Sequence, residues 1–365
     1  MGASMKSICS TKRSRTKAGQ KRKIMEQRKI RWGLLGAGEI LNRWMNGAQQ
    51  VEDMEIVAVA SRSIERARKM AQKFHIPETV GYEELLARKD IDVVYIPVPH
   101  TAHKELAVRA MESGKGVLVE KPAAINAEEF QEMIDCARRN HTFLMEAVWT
   151  KFFPIIQEIE NRIGEKGIGQ VRVVQSNFAF RNEVDPASRL FDMERAGGGL
   201  LDVGVYNLHF SRMVLKKDPL YLIGKASMDT DEHHLQIDEQ AAYIAQYDGG
   251  ELAVMGSGIR TGMLDTAWIY GTEGYITVPH FWKPTRMLVT VGNETTNVER
   301  KVPQKIVGVE DEGYQYEIAH VNQCIREGVV ESPVLTWKDT MAILNQCDSL
   351  RTDWGIVYPQ ERKSL

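Results

Sequence analysis

Short apolar runs alternate with amphipathic stretches along the first 150 residues. The apolar runs predict strands at residues 30–35, 55–60, 91–96, 116–119 and 142–145. Between them, apolar residues recur at helical spacing and predict helices at residues 39–51, 63–74, 103–112 and 127–140. Apolar strands separated by helices are typical of a parallel sheet that is covered on both faces. The first part of the chain is therefore predicted to be a doubly wound α/β domain.

The pattern changes near Pro154, where longer runs alternate apolar and polar positions. These runs predict half-buried strands at residues 171–180, 240–247, 252–259, 267–278 and 287–291. Residues 247–251 read as a hairpin turn, and helical patterns return at residues 314–326 and 337–352. A chain of 365 residues also favours two domains over one core. We expect the doubly wound domain at residues 29–150. An α+β domain with a large, open-faced, mainly antiparallel sheet should follow at residues 151–365.

The N-terminal 28 residues carry a charge unlike that of the rest. Residues 1–30 hold ten of the 47 lysines and arginines but a single acid, Glu26, which leaves a net charge of −11 beyond them. That balance argues against a body that binds nucleic acid. The basic stretch has no apolar periodicity, so residues 1–28 are predicted to be a disordered extension. A transit peptide, a nucleic-acid-binding arm and an extension before a start near Met25 are the interpretations left open.

Composition excludes several classes of protein. The chain is 43% hydrophobic and 26% charged, as a soluble globular protein is, and no apolar run is long enough for a bilayer span or a signal peptide. The four cysteines, Cys9, Cys136, Cys324 and Cys347, include no Cys-x-x-Cys pair. This favours a reducing compartment and argues against structural zinc. We expect a cytoplasmic protein without a membrane partner.

A glycine-rich turn lies between the first predicted strand and the first predicted helix. Its sequence is Gly36-Ala37-Gly38-Glu39-Ile40. In a strand–turn–helix unit, the first glycine permits the tight turn, and the second lets a pyrophosphate approach the backbone and the helix N-terminus. We predict that Gly36, Gly38, Glu39 and Ile40 bind a dinucleotide in a Rossmann domain. A purely structural turn is the alternative.

The end of the second predicted strand indicates which dinucleotide is bound. NAD sites place Asp or Glu there to accept from the ribose 2′-hydroxyl, whereas NADP sites omit that carboxylate and supply an arginine. Here the strand is followed by Ser61 and Arg62, and both side chains can bond to a 2′-phosphate. NADP(H) is therefore predicted over NAD(H). The alternative is that Arg62 is a solvated loop cation.

A lysine is predicted at the rim of the first sheet. The apolar run at residues 116–119 ends in Glu120-Lys121-Pro122, and a charged pair followed by a proline marks the end of a strand. At the carboxyl end of a parallel strand, Lys121 would face a bound dinucleotide. Its charge can lower a nearby pKa, and its ammonium can hold the nicotinamide ribose. We predict a catalytic role for Lys121 and cofactor contacts for both Glu120 and Lys121.

The second predicted domain supplies a candidate acid–base group. Oxidation of a secondary alcohol requires a base for the hydroxyl proton, and Tyr206, with a free pKa of ~10, needs a neighbour such as Lys121 to stabilise its phenolate. Asp202 lies four residues earlier, so on a helix the two side chains share a face. The glycines at residues 197–199 would allow a close backbone approach at this helix start. We predict that Lys121, Asp202 and Tyr206 form the catalytic set. The alternative for Tyr206 is a half-buried core tyrosine.

Two histidines, His100 and His103, follow the third predicted strand. Their spacing could suit a metal on a helix, but no Asp, Glu or Cys nearby completes a ligand set, so we predict no metal. The loop that contains Pro97, Pro99 and His100 lies at the carboxyl end of the strand and is predicted to face the nicotinamide. We place all four residues in the cofactor-binding region, with a structural part for His103.

Together these motifs resemble the glucose-fructose oxidoreductase / inositol dehydrogenase family. The resemblance runs from about residue 29 to the C-terminus and rests on the segments at residues 36–38, 99–103, 120–122 and 202–206. The tyrosine at position 206, and the Met-Glu-Ala-Val-Trp segment at residues 145–149, are similar to the branch of dimeric dihydrodiol dehydrogenases and NADP-linked xylose dehydrogenases. The resemblance implies an N-terminal Rossmann domain, a C-terminal open-faced sheet and oligomerisation through that sheet.

Two functions of different class fit these observations. The first is an NADP(H)-dependent oxidoreductase that acts on a secondary alcohol or carbonyl of a sugar or a cyclic trans-dihydrodiol. The second is a dinucleotide-binding sensor or transcriptional regulator without turnover, which the resemblance also includes. The Lys121, Asp202 and Tyr206 set favours the enzyme, because a sensor has no need of an acid–base group. The fold does not select the substrate.

The alternating strands also predict self-association. Trp268, Tyr270 and Tyr275 are outward candidates on these strands, and open apolar patches of that kind are normally buried against a partner. A twofold homodimer with sheet face against sheet face is the simplest closed assembly. A monomer with helices on both sheet faces is the alternative.

Overall fold

The computed structural model describes residues 28–228, 236–302 and 313–364. The basic extension predicted at residues 1–28 lies outside these ranges except for Arg28. The fold class predicted from the sequence is confirmed, because a parallel sheet with helices is followed by a mainly antiparallel sheet. None of the helices in the described ranges is long and apolar enough to cross a bilayer.

The first sheet consists of parallel strands with helices between them. The strands are β1 (Ile30–Leu35), β2 (Met54–Ala60), β3 (Glu78–Val80), β4 (Val93–Ile96), β5 (Gly116–Glu120) and β6 (Leu144–Ala147). The helices are α1 (Ile40–Ala48), α2 (Ile64–Phe74), α3 (Tyr82–Ala87), α4 (His103–Glu112) and α5 (Ala127–Asn140). The strand order is β3-β2-β1-β4-β5-β6, so the direction of winding reverses between β1 and β4. Ligands of such sheets bind outside the carboxyl ends of the strands at this reversal.

The sequence pattern does not predict two elements of this domain. Strand β3 has three residues and helix α3 has six, and segments that short do not display a period. The other strands and helices begin and end within three residues of the predicted limits, and α4 and α5 match them at both ends.

The second sheet contains eight described strands. They are β7 (Val171–Ala179), β8 (Tyr221–Met228), β9 (Asp238–Gln246), β10 (Leu252–Gly258), β11 (Thr266–Gly271), β12 (Gly274–Pro279), β13 (Arg286–Val291) and β14 (Glu294–Glu299). Their order is β14-β13-β12-β11-β7-β10-β9-β8. Strands β7 and β10 pair in parallel, and the remaining neighbours pair antiparallel. Strands β8 and β14 are absent from the sequence prediction.

The single run predicted at residues 267–278 is wrong, because the structure divides it into the hairpin of β11 and β12. The division falls at two glycines that have no room for a side chain. A Cβ on Gly271 would overlap the carbonyl oxygen of Ile168, and a Cβ on Gly274 would overlap that of Thr290. These close backbone approaches depend on tertiary contacts, so the alternation of apolar residues continues across the turn without marking it.

Four further helices complete the described part and connect the two sheets. They are α6 (Pro154–Gly164), α7 (Val205–Leu215), α8 (Tyr314–Glu327) and α9 (Trp337–Trp354). Helix α7 packs against β7 and β10, and α9 packs against β8. Helix α8 returns to the first domain and packs on α1, where Trp32 Nε1 donates to Asn322 Oδ1 at 2.9 Å. The start of α8 also lies against α1, where a Cβ on Gly47 would overlap Tyr314.

Candidate active site

Two glycines shape the turn after β1. Gly36 has a φ of +143°, and a Cβ on Gly36 or Gly38 would lie 3.0 or 3.2 Å from the carbonyl oxygen of Pro97. Because neither residue has a side chain, the loops after β1 and β4 come into contact. Glu39, at the N-cap of α1, makes no side-chain hydrogen bond to the helix, so the first turn is left open to a phosphate. The turn fits the pyrophosphate of a dinucleotide.

Ser61 and Arg62 follow β2 and precede α2. Ser61 Oγ accepts a hydrogen bond from the Ser63 amide at 3.3 Å, which leaves its hydroxyl hydrogen free to donate. The Arg62 side chain is exposed and forms no ion pair with any carboxylate of the described ranges. Both side chains therefore have unused donors at the position where a dinucleotide ribose would lie.

The loop after β4 buries His100. Its Nδ1 has no hydrogen-bond partner among the residues that the structure describes. Burial, followed by the nearby Arg189, His103 and Lys121, holds the pKa of His100 well below its usual range. The imidazole is therefore neutral at physiological pH and has a ring nitrogen to offer to a ligand.

His103 has a different part, because both of its ring nitrogens are occupied by the backbone. Nδ1 lies 2.8 Å from the Pro122 carbonyl oxygen, and Nε2 lies 2.8 Å from that of Val98. The side chain connects the loop after β4 to the turn after β5. Neither ring nitrogen is left for a cofactor, so any part of His103 in cofactor binding is to hold the loop.

Lys121 reaches from the first domain to the second. Strand β5 carries it to the sheet edge, where Nζ donates to the backbone oxygen of Asp202 at 2.5 Å and lies 3.6 Å from Asp202 Oδ1. The same ammonium lies 5.2 Å from the centre of the Tyr206 ring. The structure thus brings together the three side chains that the sequence marks as a catalytic set.

Asp202 has a second partner that the sequence analysis misses. Arg189 Nη2 donates to Asp202 Oδ1 at 2.7 Å. Burial alone would raise the pKa of the Asp202 carboxyl, but Lys121 and Arg189 outweigh it and hold the pKa well below its ordinary value. Asp202 is therefore an ionised carboxylate between two cations. No local pattern marks Arg189, because it lies on a short turn whose position is set by the fold.

The helix that carries Asp202 and Tyr206 begins with a π-helical segment, Leu200–Gly204, before α7 starts. Its N-terminus is held by a buried carboxyl, Asp238, whose Oδ2 accepts the Leu200 amide at 2.5 Å. Gly198 has a φ of +115°, and a Cβ there would overlap Asp238 Oδ1. The close approach predicted for the glycine run at residues 197–199 is thus an approach to Asp238, which no sequence signal marks.

The electrostatics of Tyr206 differ from the expectation that Lys121 lowers its pKa. Burial, and after it the Glu120 carboxylate, raise the pKa of Tyr206 well above its ordinary value. Glu120 is itself buried, and it accepts hydrogen bonds from the Tyr95 hydroxyl and the Lys121 amide. Burial also raises the pKa of Glu120. Tyr206 therefore rests as a neutral phenol, which is the form that donates a proton.

An aromatic cluster adjoins Tyr206. Phe178 meets the Tyr206 ring edge-on at 5.4 Å and stacks on Trp282 at 5.0 Å. Trp149 lies 5.9 Å from Trp282 and stacks on Tyr314 at 4.1 Å. The sequence analysis does not identify this cluster, because each ring comes from a different element, and only Trp149 belongs to a segment that the sequence marks. Among the described residues, no group of His, Cys, Asp and Glu side chains is arranged to hold a metal ion.

Two family profiles match the chain. Residues 30–148 match an oxidoreductase family with an NAD-binding Rossmann fold, and residues 156–277 match the GFO/IDH/MocA C-terminal domain. The chain is also similar to the trans-1,2-dihydrobenzene-1,2-diol dehydrogenases of Xenopus tropicalis, at 34% identity over 334 residues, and of Homo sapiens, at 31% over 341 residues. These alignments cover 90% and 92% of this chain and 99% of each relative.

Solved structures share the fold at lower identity. An aldose-aldose oxidoreductase from Caulobacter crescentus, complexed with glycerol, has a TM-score of 0.78 at 21% identity, over 88% of this chain and 96% of that one. A 3-ketoreductase from Actinomadura kijaniata, in complex with NADP and TDP-benzene, has a TM-score of 0.77 at 23% identity. The match covers 89% of this chain and 97% of that one. A levoglucosan dehydrogenase, in complex with NADH and levoglucosan, has a TM-score of 0.79 at 20% identity. The match covers 90% of this chain and 98% of that one.

Asp238 should make the stability of this site depend on pH. Burial raises the pKa of its carboxyl to about 7, whereas an unfolded aspartate titrates near ~3.9. Between these values the folded protein holds a proton that the unfolded chain has released, so the free energy of unfolding falls as the pH rises from about 4 to about 7. Relative to Asp238→Asn, the parent should lose up to about 1.4 kcal/mol per pH unit in this window.

Urea unfolding of both proteins at pH 5, 6, 7 and 8 measures this difference. Asp185→Asn removes an exposed carboxyl and serves as the control, which should follow the parent. A difference between the parent and Asp238→Asn that stays constant from pH 5 to pH 7 would contradict the prediction.

Proposed function

The chain belongs to the GFO/IDH/MocA family of oxidoreductases, and on that premise we propose that it is an NADP(H)-dependent enzyme. It would move a hydride between the nicotinamide and a secondary alcohol or carbonyl of a sugar or cyclic trans-dihydrodiol. One observation supports this proposal most directly. At the carboxyl edge of the parallel sheet, the Lys121 ammonium contacts Asp202 and lies against the Tyr206 ring. Because the relatives are dehydrogenases and reductases, the chain is an oxidoreductase and not a sensor without turnover.

The residues around the sheet edge fit a nicotinamide dinucleotide, the cofactor that the family binds. The pyrophosphate would lie on the backbone of Gly36 and Gly38, at the N-terminus of α1. Lys121 and the loop at residues 97–100 would border the nicotinamide end. When bound, the nicotinamide ring accepts or returns the hydride.

NADP(H) is the proposed form of this cofactor. Arg62 is exposed and forms no ion pair with a carboxylate of the described residues, and Ser61 beside it keeps a hydroxyl hydrogen to donate. A 2′-phosphate would give both groups an anionic partner, whereas the ribose 2′-hydroxyl of NAD lacks the carboxylate that usually receives it.

Tyr206 is the proposed acid–base residue. In the reducing direction, its phenol donates a proton to the carbonyl oxygen while the hydride reaches the carbonyl carbon, and oxidation returns the proton to the phenolate. Lys121 places a positive charge against the ring and stabilises that phenolate, and Asp202 holds the lysine in place. The raised pKa of Tyr206 supports the phenol as its resting state.

A cyclic substrate with neighbouring oxygens is the proposed class. The aromatic cluster supplies apolar ring faces, on which the C–H face of a pyranose or the ring of a cyclic dihydrodiol can pack. Asp202, Arg189 and His100 supply polar atoms near Lys121. An open-chain acid would use the polar groups without the aromatic ones.

We further propose a homodimer through the open face of the second sheet. Ile223, Ile244 and Val254 are exposed at 66%, 43% and 37%, and strand register places them side by side. Tyr270 and Tyr275 form another neighbouring pair on this sheet. Burial of so continuous an apolar patch against a second copy would stabilise the assembly.

A reducing compartment such as the cytoplasm is also part of the proposal. Cys136, Cys324 and Cys347 are buried free thiols, as expected where disulfides do not form. The acidic excess beyond residue 30 supports a small-molecule partner and not a nucleic acid.

Replacement of Arg62 by alanine tests the cofactor. Loss of a charge-assisted contact costs ~1.5–3 kcal/mol, so Arg62→Ala should weaken NADP(H) binding about 10- to 100-fold and leave NAD(H) binding nearly unchanged. Fluorescence titration measures both affinities. Arg66→Ala, which removes an exposed arginine on the following helix, is the control. Equal affinity of the parent protein for NADP(H) and NAD(H) would contradict the proposed NADP specificity.

Tyr206→Phe tests the chemistry. It removes only the hydroxyl, so cofactor affinity should persist while turnover falls by ~10²-fold or more. Lys121→Met should also lower turnover and weaken cofactor binding, because the lysine has both parts. Steady-state assays with sugars and trans-dihydrodiols provide the measurement. Tyr243→Phe, which removes a buried hydroxyl that donates to Gly204, should cost stability with turnover close to that of the parent. Near-parental turnover by Tyr206→Phe would mean that the proton comes from another group.

Ile244→Arg tests the dimer. Sedimentation equilibrium at low micromolar concentration should give twice the 41.4 kDa chain mass for the parent and the single chain mass for the variant. An obligate interface of this kind should bury roughly 2,000 Å² or more. Ile64→Arg, at an exposed position on α2, should remain dimeric. A parent protein that sediments at the single chain mass would rule out the dimer.

A further inference from the structure

Glu146 lies behind the candidate active site, and its carboxylate contacts three separate elements. Oε1 accepts the Ala123 amide at 3.0 Å. Oε2 accepts the Thr340 hydroxyl at 2.8 Å and lies 3.3 Å from His209 Nε2. One buried side chain on β6 thereby connects the turn after Lys121, helix α7 and helix α9.

The carboxylate of Glu146 stays ionised although it is buried. Burial alone would raise its pKa, but His209, the Thr340 hydroxyl and the Ala123 amide together outweigh burial and lower the pKa. His209 is 3% exposed, and its Nε2 lies 3.3 Å from Glu146 Oε2 without the alignment of a hydrogen bond. Because desolvation offsets the attraction in such a pair, the contact adds little to stability. The more specific consequence of the three contacts is that they define where the turn after β5, α7 and α9 lie relative to β6.

Two of these contacts lie next to the proposed catalytic residues. Ala123 is two residues after Lys121, in the turn that leaves β5. His209 is three residues after Tyr206 on α7, so both project from the same face of that helix, one turn apart. The Lys121–Asp202 contact joins the turn and the helix at the sheet edge, and Glu146 joins them again on the buried side.

We propose that Glu146 is a positioning residue for the reaction: through Ala123 and His209 it sets the distance between the Lys121 ammonium and the Tyr206 phenol. The inference rests on the proposed function of those two side chains. Glu146 itself contacts neither substrate nor cofactor. Its effect is geometric, because a misplacement of about 1 Å between reacting groups can cost on the order of 10²-fold in rate.

Kinetics of three variants test this inference. Glu146→Ala removes all three contacts and should lower kcat tenfold or more, with the KM for NADP(H) within about twofold of the parent. Glu146→Gln keeps an oxygen for the Ala123 amide and should recover kcat to within about threefold. Thr340→Val is the matched control, since it removes one contact of the same carboxylate without touching the turn or α7. It should lower the melting temperature and leave kcat unchanged.

Hydrogen exchange without substrate gives a readout that does not depend on turnover. In Glu146→Ala, the amides of Lys121, of residues 123–125 and of residues 203–210 should lose protection together, whereas Thr340→Val should affect only the start of α9. If Glu146→Ala does not fold, the same exchange on His209→Gln carries the test and should show both segments loosened, whereas Glu146→Gln should keep both close to parental protection.

Three results would overturn the proposal. They are a folded Glu146→Ala protein with parental kcat, an equal loss of kcat in Thr340→Val, and exchange changes confined to one of the two segments. If the parent converts no sugar or diol, the proposed function fails. The exchange measurement would then still decide whether Glu146 holds the turn and the helix together.

Discussion

The contact between the Lys121 ammonium and Asp202 is the constraint on which the rest of the site depends. A buried carboxylate is costly unless it is paired, and Asp202 is satisfied by a cation from each side, Lys121 from the first domain and Arg189 from the second. Removal of either cation would leave an under-compensated charge in the interior. The ion pairs of Asp202 with Lys121 and Arg189 therefore connect the two domains at the position where the proposed chemistry takes place.

Around that contact, opposing charges act on Tyr206. Glu120 and burial favour the neutral phenol, whereas the Lys121 ammonium against the ring favours the phenolate. The two charges come from adjacent residues, Glu120 as the last residue of β5 and Lys121 directly after it. Burial and Glu120 prevail in the resting protein, so Tyr206 is a neutral phenol, and the proposed proton transfer would depend on Lys121 to stabilise the phenolate.

Support for these residues comes from parts of the chain that are distant in sequence. Asp238 holds the helix that carries Asp202 by accepting the Leu200 amide, and helix α8 returns to the first sheet and adds Tyr314 to the aromatic cluster. The apolar face of the second sheet lies apart from this network. On that face, Ile223, Ile244 and Val254 are exposed in the described chain.

The sequence alone predicts the two-sheet architecture, the glycine turn after β1, the lack of an acid at Ser61-Arg62, and Lys121, Asp202 and Tyr206 as candidates for one site. Each depends on local information, namely periodicity, turn chemistry or a short motif. The tertiary structure decided the ion pair of Arg189, the carboxyl of Asp238, the aromatic cluster, the break in the run at residues 267–278 and the raised pKa of Tyr206. Each of these arises from groups that are far apart along the chain, and burial and electrostatic neighbours exist only once the chain has folded.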